Sequence, residues 1–380
     1  MKLVNRRANV IDNQTDLEAL DTITDFPVFM GCVDHEISDD LTADMSWSIS
    51  KSNGIVQLRF LVPLNILYGA HHDSGLIGEI WMQHHKQFSN FIKKQSPKSV
   101  LEIGGAHGIL SKEYKKEKPI EWVILEPNPS PAEGVDSVFI RGFFDDTFSF
   151  DGEVDTIIHS HVFEHVYNPN EFISHISNFL KQGQQLIFSL PNMKEMLKRK
   201  YTNCINFEHT VLITEPYIEY LLSKNGFTQV DKKYFKDDHS IFYAYIKDIN
   251  SKLIPLPEGL YDQNKKLFVE YIEYLKDLIL ALNQKISNVD ENKKIYLFGA
   301  HVFAQYLIAY GLNISRISFV LDNDNNKHKK RLYGTELIVM SPKILAVEDN
   351  PVVILKVGIY DNEIRKDILN NINSDTIFLD

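Results

Sequence analysis

Three short stretches of the chain place proton-carrying side chains close together. The first is Ser160-His161-Val162-Phe163-Glu164-His165-Val166. Imidazole titrates near neutral pH, which makes His165 a candidate general base. The second is Ile205-Asn206-Phe207-Glu208-His209, where the Glu208 carboxylate could orient the His209 imidazole or raise its basicity. The third is His71-His72-Asp73, set between Gly69 and Gly75 in a pattern suited to a polar substrate. Each has a plainer alternative: His165 as a satisfied structural histidine, Glu208 and His209 as an exposed pair, residues 71–73 as a solvated turn. The catalytic candidates are therefore His165, Glu208 and His209. The candidate substrate contacts are His71, His72, Asp73 and Asn206.

A fourth stretch, Ser99-Val100-Leu101-Glu102-Ile103-Gly104-Gly105-Ala106-His107-Gly108, reads as a short apolar strand, a glycine turn and a helix start. Glycines let backbone approach a ligand closely, and the helix that follows points free N–H groups toward it. The next apolar run, Glu121-Trp122-Val123-Ile124-Leu125-Glu126, ends in a carboxylate 18 positions past Gly108. An acid at the end of the second strand of such a sheet suits a ribose diol. NAD and S-adenosylmethionine both carry one. The NAD fingerprint G-x-G-x-x-G is built around a pyrophosphate, whereas here the spacing is Glu102-x-Gly104-x-Ala106-x-Gly108. That pattern resembles motif I of class I methyltransferases, whose ligand has a sulfonium and an amino-acid tail. The expected cofactor is S-adenosylmethionine, held by Glu102, Gly104, Gly105, His107, Gly108, Glu126, Pro127, Phe144, Asp145, Ser160 and His161. Phe143-Phe144 could wall an adenine, although core packing accounts equally well for one of the two rings.

These residues need a scaffold, and strands and helices alternate through the middle of the chain. Strands are predicted at 99–103, 121–126, 136–140, 154–159 and 184–190, with helices at 108–116 and 169–181. The expected fold class is α/β, a Rossmann-like doubly wound sheet of the class I methyltransferase type, covered on both faces. A small N-terminal domain and a second C-terminal α/β domain accompany it. Residues 1–85 form the first unit, irregular at its start, with one strand from Gly54 to Pro63 and a helix from Ile77 to Lys94. Residues 86–250 form the second, where Thr214 caps a helix that stops at Asn225-Gly226. Residues 251–290 are a linker and a long amphipathic helix. Residues 291–380 restart with Phe298-Gly299-Ala300, a single turn of low specificity that suits covering a sugar nucleotide better than binding a second cofactor.

Composition narrows the class. At 380 residues and 44% hydrophobic content, several folded domains are expected. A formal net charge of −11 argues against nucleic acid as the partner. Two cysteines, Cys32 and Cys204, leave no disulfide framework or cysteine-rich metal site, so no metal is expected. The opening Met1-Lys2-Leu3-Val4-Asn5-Arg6-Arg7 lacks the apolar core of a signal peptide, and no apolar run reaches membrane-spanning length. The expectation is a cytoplasmic protein without a membrane partner; the oligomeric state is left open.

Taken as a whole, the chain resembles the sugar C-methyltransferases of deoxysugar pathways. The resemblance rests on Gly54-Ile55-Val56-Gln57-Leu58, Glu102-Ile103-Gly104 with Gly108, His165, and Ile205-Asn206-Phe207-Glu208-His209. It continues in Gly299-Ala300, Val320-Leu321-Asp322-Asn323, Gly334-Thr335 and Ser341-Pro342. It implies methyl transfer from S-adenosylmethionine to a nucleotide-linked 4-keto sugar, with the C-terminal domain helping to hold the sugar nucleotide.

The chain departs from that family in several places. The family's N-terminal unit binds zinc through four cysteines, two of them just before the stretch that begins at Gly54; here those two places are Ser50 and Asn53, so this unit is expected to fold by packing alone. Ala106-His107 stands where the family has Asn-Asp. The family's I-Y-H-E-H block keeps its Glu-His pair and loses its tyrosine. His71-His72-Asp73 occupies the family's tyrosine-bearing loop. Methylating carbon beside a ketone needs a base and donors that hold an enolate. Methylating a hydroxyl needs a base and an aligned oxygen. With two tyrosine donors missing, the reading leans toward a sugar O-methyltransferase using His165, His209 or His107 as base. C-methylation, a silent binding scaffold and an NAD oxidoreductase are the alternatives.

Overall fold

The computed structural model describes residues 1–69 and 79–379. His71, His72 and Asp73 lie outside the described residues.

A seven-stranded sheet forms the centre. Its order is Phe227–Phe235, Ser240–Lys247, Gln185–Pro191, Thr156–Ser160, Ser99–Ile103, Glu121–Glu126, Val138–Arg141. The last five in that order run parallel, and the first two form a hairpin in which Ser240–Lys247 pairs antiparallel with both neighbours. The expected parallel sheet is therefore mixed, with an antiparallel hairpin closing one edge. Val100, Leu101, Ile103, Ile157 and Ile158 are buried, as a strand covered on both faces requires. One face is covered by the helices Glu79–Gln95 and Ile109–Lys115, which bury Phe88, Phe91, Ile92, Leu110 and Tyr114. The other is covered by Pro169–Phe179 and Glu215–Lys224, which bury Phe172, Ile173, Ile176, Ile218 and Leu221. Thr214 sits at the N-cap position of the latter helix, but its side chain makes no capping hydrogen bond.

Chain order reverses direction between Ser99–Ile103 and Thr156–Ser160, which are neighbours although two strands intervene in sequence. A crevice at the carboxyl ends of such a pair is where ligands enter doubly wound sheets.

The start of the chain is less irregular than expected. Leu17–Pro27, Thr42–Ser50 and Val56–Leu58 form a three-stranded antiparallel sheet. The single strand predicted from Gly54 to Pro63 is divided, because Phe60–Leu61 pairs with Val4–Asn5 in a separate ribbon. Packing is also not the only force here. Asn9 donates to Asp12 and Asp16, Asn53 donates to Asn9 and Asp12, and Ser50 donates to Asp16 at 2.8 Å. This polar knot ties the two loops together at Ser50 and Asn53.

The helix Leu260–Ser287 spans 28 residues, about 42 Å. Phe268, Tyr271 and Leu275 pack beside Trp47 and Met45, while Ile279, Leu282 and Ile286 enter the core of the C-terminal unit. That unit is a five-stranded parallel sheet ordered Val339–Met340, Ile317–Leu321, Ile295–Phe298, Val352–Leu355, Ile377–Leu379. Cys32–Val33 pairs with Arg331–Leu332, and the Arg331 guanidinium forks onto Asp40 at 2.6 and 2.9 Å. N- and C-terminal units are thereby joined directly. Among the described residues, no helix is long and apolar enough to cross a membrane.

Candidate active site

The crevice opens into a cavity of about 1040 Å³. Gly104 leaves the first strand with φ +70°, its N–H donating to the Leu125 carbonyl at 2.9 Å. A Cβ there would lie 2.6 Å from Val162, so only glycine fits. Ala106 then donates its N–H to Glu126 Oε2 at 3.0 Å, and Asn128 donates its N–H to Oε1 at 3.0 Å. The carboxylate is fixed from behind while Glu126 lines the cavity. Pro127, His107, Phe144, Asp145, Ser160 and His161 line it as well.

Three predicted cofactor residues do not line the cavity: Glu102, Gly105 and Gly108. Glu102 is 2% exposed and accepts from the Trp122 indole at 2.7 Å. Burial pushes its carboxyl up to about 7. It lies beneath Gly105, where a Cβ would come within 2.9 Å of the Glu102 carboxyl carbon. These residues shape the turn from the protein side. The motif specifies them because the turn needs room underneath as well as above.

His161 takes φ +54°, a conformation uncommon outside glycine. Its Nε2 is 2.9 Å from Ser240 Oγ, and burial lowers its pKa to about 3, so the ring is neutral at pH 7. His159 points into the sheet as expected, stacked on Phe188 at 4.9 Å. Phe144 is both wall and core: it lines the cavity and packs edge-on against Phe172 and His175.

The proton-carrying residues converge at the other end of the cavity. His165 ends a short 3-10 turn, Phe163–His165, directly after the fourth strand. Its Nδ1 lies 2.9 Å from the Tyr68 hydroxyl and 3.6 Å from Glu208 Oε2. The His209 ring lies 5.3 Å away and nearly perpendicular. His209 Nδ1 donates to the Cys204 carbonyl at 2.8 Å, which leaves Nε2 as the nitrogen with a lone pair. Burial lowers the His209 pKa, partly opposed by the nearby Glu164 charge.

Two devices hold these segments together. Thr210 donates its N–H to the Glu164 carbonyl at 3.1 Å and its hydroxyl to the Val166 carbonyl at 2.9 Å. Arg6, 9% exposed, donates to the carbonyls of Leu58, Thr210 and Tyr167. Asn206, expected to touch substrate, turns its carbonyl oxygen onto the N–H groups of Glu208 and His209, both at 2.8 Å. It positions the pair, and it also lines the cavity where the sequence places a substrate contact.

Sequence reasoning missed Tyr68, Glu164 and Arg6. Tyr68 immediately precedes Gly69, so a tyrosine is available after all, a few positions before the loop where the family pattern places one. Its pKa is raised well above 10 by burial and by Glu208, which keeps the hydroxyl protonated. The C-terminal unit restarts with a strand and a glycine turn as expected, and there Ala300 donates its N–H to Asp322 Oδ2 at 2.9 Å, as Ala106 does to Glu126. His301, Phe303, Asp322, Lys327 and Tyr360 line the same cavity from the far side.

A family model for a methyltransferase domain matches residues 78–232. No curated protein matches the chain. Among solved structures, the chain is similar to an S-adenosylmethionine-dependent methyltransferase from Clostridium acetobutylicum, at 14% identity over 43% of this chain and 92% of that one, with a TM-score of 0.36. It is similar to the magnesium protoporphyrin IX methyltransferase of Synechocystis, at 14% identity over 46% and 90%, with a TM-score of 0.36. The N-methyltransferase NodS of Bradyrhizobium japonicum matches at 15% identity over 44% and 97%, with a TM-score of 0.34.

Proposed function

We propose that this chain, in which residues 78–232 form a methyltransferase domain with S-adenosylmethionine as cofactor, methylates a hydroxyl of a nucleotide-linked sugar. The observation that carries the reading is that Glu126 and His209, whose Nδ1 is taken by the Cys204 carbonyl, line one cavity. When bound, S-adenosylmethionine supplies an electrophilic methyl on a sulfonium.

The residues present suit that cofactor. Glu126 is an ionisable carboxylate held by two backbone N–H groups, with lone pairs left for a ribose diol. Gly104 and Ala106 bring backbone close to it, and Pro127 and Phe144 offer apolar surface for a base. His209 Nε2, or His165 relieved of its proton, accepts the acceptor hydroxyl's proton. Glu208 and Tyr68 hold His165 from the other side. A volume of about 1040 Å³ is at the upper end of ordinary ligand sites, which suits two ligands together. The Ala300–Asp322 turn and Lys327 would cover the nucleotide end of the acceptor.

One observation favours C-methylation as the second reading. The lean toward oxygen rests on missing tyrosine donors, and Tyr68 stands 2.9 Å from His165. A protonated phenol there could hold an enolate oxygen. Incubation with S-adenosylmethionine and a panel of GDP-, UDP-, CDP- and dTDP-sugars, read by mass spectrometry, tests the substrate class. Product NMR then separates the readings, since a methyl on carbon removes the O-methyl proposal. Failure of every nucleotide sugar, with the cofactor bound, removes the acceptor class.

A further inference from the structure

We infer that Glu164, His165 and His209 form a binding site for a divalent transition-metal ion on the wall of the cavity. One ligand atom from each lies within 4.8 Å of the other two. The Glu164 carboxylate carries the argument. It is 1% exposed, and neither of its oxygens accepts a hydrogen bond among the described residues. His161 Nδ1 is 3.2 Å from Oε1 without completing one, and His165 Nε2 is 3.8 Å away. A buried carboxylate with no hydrogen-bond partner is costly, and coordination of a cation is one of the few arrangements that satisfies it.

The surroundings of both imidazoles match those of ligands when each ring carries its proton on Nδ1, the His165 Nδ1–H then donating to the Tyr68 hydroxyl. Metal-bound histidines hold their second nitrogen on a carbonyl or carboxylate, which fixes the tautomer and aims the first nitrogen. His209 Nδ1 is on the Cys204 carbonyl at 2.8 Å, and His165 Nδ1 faces the Tyr68 hydroxyl at 2.9 Å and Glu208 at 3.6 Å. Two nitrogens and one carboxylate select zinc, iron(II) or manganese over the all-oxygen preferences of magnesium and calcium. All three residues line the cavity, so coordination positions remain for an acceptor oxygen.

Binding of the ion stands apart from the methyl-transfer reading; its part in the reaction rests on that reading. With the ion in place the imidazoles are ligands and cannot serve as bases. The acceptor oxygen sits on the cation, its O–H bond breaks, and the proton passes to the Glu208 carboxylate while the oxygen keeps the electron pair.

The test uses the full chain without a histidine tag, stripped with a chelator, then dialysed against Zn2+ or Mn2+ and counted by atomic emission. One equivalent of at least one ion is expected. Affinity should fall at least tenfold in E164Q, which keeps the shape of the side chain, and in H209A. Y68F, which removes only an outer partner, is expected to weaken binding by about tenfold. Failure to bind either ion above the E164Q level, or equal binding in all variants, overturns the inference. Calorimetry of the stripped protein with S-adenosylmethionine is independent: no heat there counts against methyl transfer and leaves the metal result untouched.

Discussion

His209 donates from Nδ1 to the backbone carbonyl of Cys204 at 2.8 Å, and this one bond decides which face of the imidazole is chemically active. A carbonyl can only accept, so the neutral ring must carry its proton on Nδ1 and its lone pair on Nε2. The ring is therefore set for proton acceptance or for ligation, and in either role its loss should be felt in the chemical step. His209→Ala and His165→Ala are each expected to lower kcat at least about tenfold, at or below the low end of general-base effects because the other ring remains. Affinity for S-adenosylmethionine should stay within a factor of about two. Equal kcat in both variants and the parent would remove these residues from the chemistry.

Glu102 belongs to the motif but lies behind the turn, bonded to Trp122 at 2.7 Å. Glu102→Gln keeps an acceptor for the indole and removes the titrating proton, so cofactor affinity is expected to stay within about twofold. Glu102→Ala leaves the indole N–H unpaired in the core and should cost about 1–3 kcal/mol of stability. Denaturant unfolding beside cofactor titration separates the two effects. A large affinity loss in Glu102→Gln with stability intact would place the carboxyl in contact with the ligand.

Several buried histidines make the fold sensitive to acid. Burial lowers the pKa of His85 to about 4 and those of His159 and His239 to about 3. His161, Lys236 and Asp238 also act on His239, and Asp238 alone among them favours the charged form. In the unfolded chain each histidine titrates near about 6.5. Between the unfolded and folded values only the unfolded state holds the extra proton, so stability falls as pH is lowered through that window. The melting temperature should drop steadily from about pH 6.5 toward pH 4. His239→Gln should flatten the slope, and an unchanged slope would show that this ring is not held neutral.

Arg331 and Asp40 join the first and last units through a forked ion pair whose side chains are 8% and 3% exposed. Removing one member of a buried pair leaves the other uncompensated. Arg331→Ala is expected to destabilise by about 3 kcal/mol, whereas Arg331→Ala with Asp40→Leu should recover part of the loss. A double variant no better than the single would show that the pair contributes no specific coupling.

Much of the sheet could be read from residues because glycine and buried aliphatics have few other uses. Val100, Leu101 and Ile103 before Gly104, and Trp122 to Leu125 before Glu126, mark two neighbouring strands whose carboxyl ends, the glycine turn and the acid, border the cavity. The N-terminal strands are hard to read for a physical reason. Leu17–Pro27 has two register irregularities and many outward polar positions, so its alternation is broken. Glu102 is hard to place because a strand buried on both faces gives no clue to which face a side chain takes. Tyr68 and His165 are 97 positions apart, and only folding brings them to 2.9 Å. Asn206 lies in the expected neighbourhood, lining the cavity, and its oxygen has a further task that spacing does not reveal, serving the backbone of Glu208 and His209.

The most direct test of the whole account is calorimetric titration of the chain with S-adenosylhomocysteine, in parent and Glu126→Ala forms. Glu126 lines the cavity and is held by the Ala106 and Asn128 N–H groups, and in the proposed reading its remaining lone pairs meet the ribose. Charged hydrogen bonds of that kind contribute about 1.5–3 kcal/mol, so one-to-one binding is expected in the parent and at least about tenfold weaker binding in the variant. No heat in the parent, or equal affinity in both, would contradict it.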